Sequence, residues 1–233
     1  MSKPNVVSHD EWIEARKDLL RKEKELTRLR DELSEKRREL PWERVDKEYV
    51  FVGPDGRQTL ADLFEGRRQL VVCHFMFAPD WDAGCPSCSF WADSYDGNMA
   101  HLNHRDVSMV VVSRAPLEKL QAYRDRMGWS FRWLSSGDSD FNFDHQVSFT
   151  DEDEERGEVT YNYGSQPYFV SDLHGISVFY RDDDGQIYHT YSTYARGVDP
   201  LNVAYQILDL TPRGRDEADG PMRWLRRRDE YDD

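Results

Sequence analysis

The chain has 233 residues, of which 38% are hydrophobic and 13% aromatic, enough apolar material for one sizeable core. It carries 31 Lys and Arg against 45 Asp and Glu, which gives a formal net charge of −14. Because this charge repels phosphate backbones and anionic membrane surfaces, the composition disfavours nucleic-acid binding and membrane binding.

A long N-terminal helix over residues 8–40 is the first predicted element. Ser8 and Glu11 have the spacing of a capping box at its start, and Pro41 ends it. An apolar residue recurs at every seventh position: Trp12, Leu19, Leu26, Leu33 and Leu40. The helix either lays this stripe on its own domain or packs against a second subunit, and the second interpretation predicts a homodimer.

Predicted strands and helices then alternate as far as residue 134. The strands cover 49–52, 69–77, 107–113 and 131–134, and the helices run from Cys85 to about His104 and from Pro116 to Met127. The nearly continuous apolar run at 69–77 is typical of a central strand covered on both faces. The alternation as a whole predicts right-handed parallel β–α–β units.

The last third of the chain is more polar. Residues 135–170 predict an inserted surface segment. Two strands at 176–181 and 186–192 are separated by an acidic turn that ends in glycine, which is a hairpin signal. A last amphipathic helix is predicted from Asp199, and a charged tail follows Pro212.

The three cysteines, Cys73, Cys85 and Cys88, are too few for a disulfide-stapled secreted protein. The sequence opens without an apolar signal segment and contains no run near the roughly 20 apolar residues of a membrane span, so we expect a cytoplasmic protein. In a reducing compartment, a close cysteine pair is more often redox-active or metal-binding than structural.

The segment Cys85-Pro86-Ser87-Cys88 follows a predicted buried strand and opens a predicted helix. Unpaired backbone N–H groups at a helix start favour a thiolate on Cys85, and Pro86 suits the first turn because it has no N–H to leave unpaired. Cys88 lies one turn further on, close enough to attack a mixed disulfide formed at Cys85. We therefore predict that Cys85 is a nucleophile and Cys88 a resolving thiol.

The order strand, loop, C-x-x-C helix, strand, helix, hairpin, helix resembles the thioredoxin-like fold. The chain is similar to the thioredoxin-like family catalogued as domain of unknown function 899, whose members are described as predicted dithiol–disulfide oxidoreductases. The segments that carry this resemblance are His74-Phe75-Met76-Phe77, Gly84-Cys85-Pro86-Ser87-Cys88-Ser89, Val112-Ser113-Arg114-Ala115-Pro116 and His189-Thr190-Tyr191-Ser192.

This resemblance, over residues 8–212, implies an α/β domain with a central mixed sheet flanked by helices. A long N-terminal helix and a lead-in hairpin are added to it. The expected boundaries are 1–48 for the helical extension, 49–212 for the domain with its insertion, and 213–233 for the tail. The implied activity is thiol–disulfide exchange with a protein or small-molecule disulfide. It requires no cofactor and no metal, only an external redox partner that recycles the dithiol.

The sequence departs from better-known relatives at three places. Thioredoxins carry Trp directly before the first cysteine, whereas here Gly84 has that place and Trp81 stands four residues ahead of Cys85. The stretch around Ile176 contains no proline where thioredoxins have a cis-proline. Asp82 and Ala78 occupy the places of the Thr and Pro that orient peroxide in peroxiredoxins, which disfavours a peroxiredoxin-type mechanism.

Several residues near the dithiol have two interpretations. Arg114 follows a parallel strand at its carboxyl end, where its charge either favours the Cys85 thiolate or joins a surface ion pair. Cys73 and His74 are expected in the core, with a third redox thiol and a proton carrier as alternatives. The candidate supporting residues are Gly84, Pro86, Ser87, Trp81, Arg114 and Ile176.

Two other functions stay open at this point. One is a non-catalytic interaction module that uses the same fold. The other is zinc binding, because His101 and His104 follow the cysteines at nearly a zinc-finger spacing. A continuous helix over 86–104 would place His101 roughly 20 Å from Cys88 along the axis, so zinc binding requires a break at 96–98.

Overall fold

The computed structural model describes residues 5–231, and the chain divides into two compact units at Pro41 and Trp42. The first unit is helix α1 (His9–Arg38). The predicted capping box is present, since the Ser8 N–H donates to the Glu11 carboxylate at 2.9 Å and the Glu11 N–H donates to Ser8 Oγ at 3.3 Å. That the apolar stripe contacts a second subunit stays a prediction.

The second unit is an α/β structure built on a mixed sheet. Its strands are β1 (Glu43–Arg44), β2 (Val50–Gly53), β3 (Gly56–Thr59), β4 (Gln69–His74), β5 (Val107–Ser113), β6 (Trp133–Ser135), β7 (Glu158–Tyr161), β8 (Gly164–Pro167), β9 (Gly175–Arg181) and β10 (Ile187–Tyr194). Its helices are α2 (Pro86–Ala92), α3 (Met99–His104), α4 (Leu117–Met127), α5 (Phe141–Asp144), α6 (Asp151–Arg156) and α7 (Val203–Leu208).

Strand β4 lies near the centre of the main sheet, whose order is β1-β10-β9-β4-β5-β6-β2-β3. It runs parallel to β5 and antiparallel to β9, and it is covered on both faces as the sequence predicts. Cys73 belongs to the core cluster that also contains Cys88 and Trp91, whereas its neighbour Val72 belongs to a second cluster with Leu70. Because side chains alternate along a strand, β4 separates two apolar cores.

This topology confirms the thioredoxin-like fold. A central strand leads into the C-x-x-C helix, a parallel strand follows, and an antiparallel hairpin, β9–β10, completes the order β10-β9-β4-β5. The lead-in hairpin β2–β3 is also present, with Gly53 paired to Gly56. None of the described helices is long and apolar enough to cross a membrane.

Two predicted helices have different bounds in the structure. The segment from Cys85 to His104 forms α2 and α3 with a short 3₁₀ turn, Asp96–Asn98, between them. The last helix begins at Val203 rather than Asp199, because residues 195–201 form a 3₁₀ segment and the side chain of Asn202 caps α7 by accepting from the Tyr205 N–H at 2.9 Å.

Residues 135–170 contribute more to the core than their polar composition indicates. They form α5, α6 and the separate β7–β8 hairpin. Phe141 is fully buried in one of the two main cores, and a third apolar cluster brings Val147, Phe149 and Val159 against Tyr194 of β10. The segment is therefore packed onto the sheet.

We expect Trp133→Ala to lower the free energy of unfolding by about 3–5 kcal/mol, because removal of a buried indole leaves a large cavity. Trp133 is 1% exposed, and its ring centroid lies 4.6 Å from that of Phe75. Urea titration followed by circular dichroism measures the loss. Leu210→Ala is the control: Leu210 is 86% exposed, so its change should stay within about 0.5 kcal/mol. Equal effects of the two substitutions would contradict the described packing.

Candidate active site

The loop between β4 and α2 is tightly packed where it reaches Cys85. Gly84 is buried, and a Cβ atom at this position would lie 2.7 Å from a ring carbon of Phe75 and 2.9 Å from one of Tyr123. These distances leave no room for a side chain larger than that of glycine. The Cys85 N–H donates to the Met76 carbonyl at 3.1 Å, so packing and a backbone hydrogen bond together fix the start of α2.

The two cysteines of the C-x-x-C segment are both free thiols in different surroundings. Cys85 is half-buried and is the N-cap residue of α2. Cys88 is buried, and its Sγ accepts a hydrogen bond from the Met76 N–H at 3.4 Å. The less buried cysteine therefore precedes the buried one in the chain.

The two sulfur atoms also differ in acidity. The pKa of Cys85 falls to about 6, chiefly because the Cys88 thiol donates a hydrogen bond to it. The backbone N–H groups of Cys88 and Ser87 and the Ser87 hydroxyl stabilise the thiolate further. Burial raises the pKa of Cys88 well above its ordinary value. At neutral pH Cys85 is therefore mainly a thiolate, and Cys88 keeps its proton.

A cavity of about 260 Å³ opens beside both cysteines. Its walls come from β4, α2, the start of β9 and the segments around it. The apolar side chains that line it include Met76, Trp91, Leu173, Ile176, Val198 and Met222. A substrate that reaches Cys85 therefore meets a mainly hydrophobic surface.

Most predicted supporting residues lie at this site. Pro86 is the first residue of α2, Ser87 lines the cavity, and Ile176 lines it from β9, where it pairs with Cys73 of β4. Trp81 is partly buried, and like Cys85 it packs against the core cluster that contains Cys88. Its backbone carbonyl accepts a hydrogen bond from Lys119 Nζ at 2.9 Å, so it helps to hold the loop.

Arg114 forms an ion pair, which is one of its two predicted roles. Its guanidinium makes a bidentate contact with Asp172 at 2.9 and 2.6 Å. The pair is only partly exposed, since the Arg114 side chain is 16% exposed and that of Asp172 3% exposed. Asp172 also accepts from Ser148 Oγ at 2.6 Å. The charge of Arg114 is therefore matched by Asp172, as a largely buried cation requires.

The C-terminal segment contributes residues that sequence reasoning missed. Arg227 donates from Nη2 to the Gly84 carbonyl at 2.9 Å and from Nε to the Tyr123 hydroxyl at 2.9 Å. Met222 lines the cavity, and Trp224 packs against the same core cluster. The signal that could have located this contact is the cluster of apolar residues within an otherwise charged tail. The tail is docked rather than loose.

The positions of the histidines do not support the zinc-binding alternative. The break at Asp96–Asn98, which that alternative required, is present. However, His101 and His104 are exposed on α3, whereas Cys88 is buried. Within residues 5–231, no three His, Cys, Asp or Glu side chains are grouped closely enough to hold a metal ion.

A polar network lies in the core on the other face of β4. The Nε2 atom of His74 is 2.9 Å from Ser177 Oγ, which is 2.9 Å from Ser192 Oγ, and His189 Nε2 is 2.7 Å from Ser192 Oγ. Burial lowers the pKa of His74 well below its ordinary value, so this histidine is neutral. His74 is thus a core histidine, and this network connects two of the segments that carry the family resemblance.

Fold and site together define a thioredoxin-like protein with a free dithiol at the start of the helix after its central strand. The chain belongs to the family of bacterial proteins of unknown function DUF899, whose family model matches residues 1–231. No curated protein matches the chain.

Solved structures with which the chain shares weak similarity include three bacterial proteins. A PrxQ mutant from Xylella fastidiosa is 12% identical, with a TM-score of 0.43, over 68% of this chain and 89% of that one. Peroxidoxin BcpB from Mycobacterium tuberculosis is 13% identical, with a TM-score of 0.43, over 72% and 97%. Peroxiredoxin Q from Xanthomonas campestris is 13% identical, with a TM-score of 0.42, over 66% and 86%.

We expect iodoacetamide to alkylate Cys85 selectively, because Cys73 and Cys88 are buried and their pKa values are raised by burial. The rate should increase with pH through a midpoint near 6 and be almost constant above pH 7, since only the thiolate reacts. Peptide mapping by mass spectrometry at a series of pH values measures this profile. A midpoint near the ordinary cysteine value of about 8.5 would contradict the described environment.

Gly84→Ala should lower the free energy of unfolding by roughly 1–3 kcal/mol, because the added methyl group has to displace two buried rings. It should also slow alkylation of Cys85, since the loop that carries this residue shifts. Gly97→Ala is a matched control, because a Cβ at that position meets no atom within 4 Å. Equal stability and equal alkylation rates in the two variants would contradict the role assigned to the Gly84 contact.

Proposed function

We propose that this protein is a thiol–disulfide oxidoreductase in which Cys85 is the nucleophile and Cys88 the resolving thiol. The observation that carries the proposal is that the two cysteines differ in burial and in pKa. Cys85 is half-buried with a lowered pKa, and Cys88 is buried with a raised one. Thiolates rather than thiols attack disulfides, so this difference supports a fixed order of reaction.

In the first step, the Cys85 thiolate attacks one sulfur atom of a substrate disulfide. The substrate S–S bond breaks, a mixed disulfide with Cys85 forms, and the other half of the substrate leaves as a thiolate. In the mixed disulfide Cys85 Sγ carries no charge, so the hydrogen bonds that stabilise its thiolate are weakened. In the next step Cys85 Sγ is the atom under attack, and the second half of the substrate is the leaving group.

In the second step, Cys88 gives up its proton and attacks Cys85 Sγ. The mixed disulfide breaks, a Cys85–Cys88 disulfide forms, and the second half of the substrate leaves with the electron pair. The substrate gains two electrons, and its halves leave as one thiolate and one thiol that carries the proton of Cys88. An external dithiol reductant then restores the pair.

The spacing of the cysteines supports this second step. Cys88 lies on the first turn of α2, directly behind the N-cap residue Cys85. The Cys88 side chain is near enough to lower the pKa of Cys85, which supports attack of one sulfur on the other. Burial of Cys88 keeps it protonated and unreactive until a mixed disulfide has formed next to it.

Cys85→Ser should reduce catalysed disulfide reduction to the background rate, because a hydroxyl group is not ionised at neutral pH. Cys88→Ser should form the first mixed disulfide and accumulate it, because the resolving thiol is absent. Insulin reduction by dithiothreitol, corrected for the uncatalysed reaction, measures the first effect, and mass spectrometry of the intact protein under non-reducing conditions measures the second. Wild-type activity in both variants would contradict the proposal and favour a non-catalytic interaction module.

A further inference from the structure

Three of the polar side chains in the cavity walls already have partners within the protein. Trp91 Nε1 donates to the Val198 carbonyl at 2.9 Å. The Tyr95 hydroxyl lies 3.4 Å from Cys73 Sγ, and His174 Nε2 lies 3.3 Å from the Ala195 carbonyl. These side chains therefore present their apolar surfaces to a ligand in the cavity.

Apart from the thiolate of Cys85, the described side chains that line the cavity carry no charge. Among the described residues that line it, none is Lys, Arg, Asp or Glu. Burial lowers the pKa of His174, which keeps this ring neutral. The ring of His74 stacks on Phe141 in the other core, with the centroids 5.4 Å apart. A carboxylate in this cavity would lose its hydration without gaining a cation as a partner, which is strongly unfavourable.

The cavity is large enough to hold one part of a ligand. At about 260 Å³, it is larger than the roughly 150 Å³ apolar cavity that takes up benzene, and somewhat smaller than the pockets that enclose a whole drug-sized ligand. Because the cavity opens to solvent, its apolar walls are in contact with water. An aromatic or branched aliphatic group that enters it would remove this apolar surface from water and gain dispersion contacts with the walls.

The rim of the cavity is apolar as well. Phe169 lies on it and is 68% exposed. Met222 closes the cavity from the C-terminal segment. Cys85 and Ser87 line the same cavity, so a group held there lies next to Cys85.

We propose that this cavity binds an aromatic or branched aliphatic group next to the disulfide that Cys85 attacks, so that the substrate is an apolar, uncharged disulfide. This inference rests on the proposed function and adds the substrate class to it. Anionic disulfides such as oxidised glutathione, whose carboxylates find no cation in the cavity, are poor substrates.

Three peptide disulfides test this inference: the symmetric dimers of N-acetyl-phenylalanyl-, N-acetyl-alanyl- and N-acetyl-glutamyl-cysteine amide. Each is mixed with the reduced protein, and formation of the Cys85–Cys88 disulfide is followed by acid quench and mass spectrometry. Each rate is divided by the rate of the same peptide with dithiothreitol, which removes differences in intrinsic reactivity. The phenylalanyl peptide should react on the order of tenfold faster than the alanyl peptide, and the glutamyl peptide should be the slowest.

Phe169→Lys places a cation on the rim at an exposed position, where it should not disturb folding. It should speed up the glutamyl peptide and slow the phenylalanyl peptide. Leu210→Lys is the matched control, because it adds the same charge at a residue that is 86% exposed and does not line the cavity. This control should leave the ratio of the two rates unchanged.

Equal normalised rates for the three peptides, or an unchanged ratio in Phe169→Lys, would overturn the substrate class and leave the proposed function standing. Failure of every peptide to oxidise the dithiol would overturn both.

A version of the phenylalanyl peptide extended by four residues on each side distinguishes the sources of the apolar group. A faster reaction identifies a polypeptide, an unchanged rate identifies a small disulfide, and both results require the phenylalanyl preference.

Discussion

Two aromatic rings leave space for no more than a hydrogen atom at position 84, and the position of the dithiol depends on this contact. Phe75 continues the chain directly after β4, and Tyr123 belongs to α4. Gly84 packs between them, so the central strand, the helix after it and the next crossover helix meet at the residue before Cys85. Arg227 strengthens the same contact by donating to the Gly84 carbonyl and the Tyr123 hydroxyl. Rigid support of this kind holds a reactive group in its productive geometry.

The consequence is a dithiol whose two halves lie in different environments. The N-cap position exposes Cys85 to backbone donors and to solvent, whereas one turn of helix places Cys88 against the β4 core. The Cys88 side chain lowers the pKa of Cys85, whereas burial and, to a smaller extent, the neighbouring Cys85 raise the pKa of Cys88. The apolar cavity is lined by both cysteines.

Much of this arrangement could be predicted from local sequence signals. The run Val107–Ser113 matches β5 at both ends, and the Ser8–Glu11 capping box and the β9–β10 hairpin are where their turn and cap residues indicate. What could not be predicted depends on contacts between distant segments. The break at Asp96–Asn98 accompanies tertiary hydrogen bonds, in which the Asp96 carboxylate accepts from the N–H groups of Ser130 and Phe131. Arg227 reaches Gly84 across 143 positions of sequence, which no local pattern reports.

The most direct test of the account is a redox titration of the wild-type protein in glutathione buffers brought to equilibrium, with the products resolved by mass spectrometry after alkylation. The account predicts a single two-electron transition in which the oxidised form has lost two hydrogen atoms and carries one disulfide, between Cys85 and Cys88. A dithiol that stays reduced at every buffer ratio, or a disulfide that involves Cys73 instead, would contradict it.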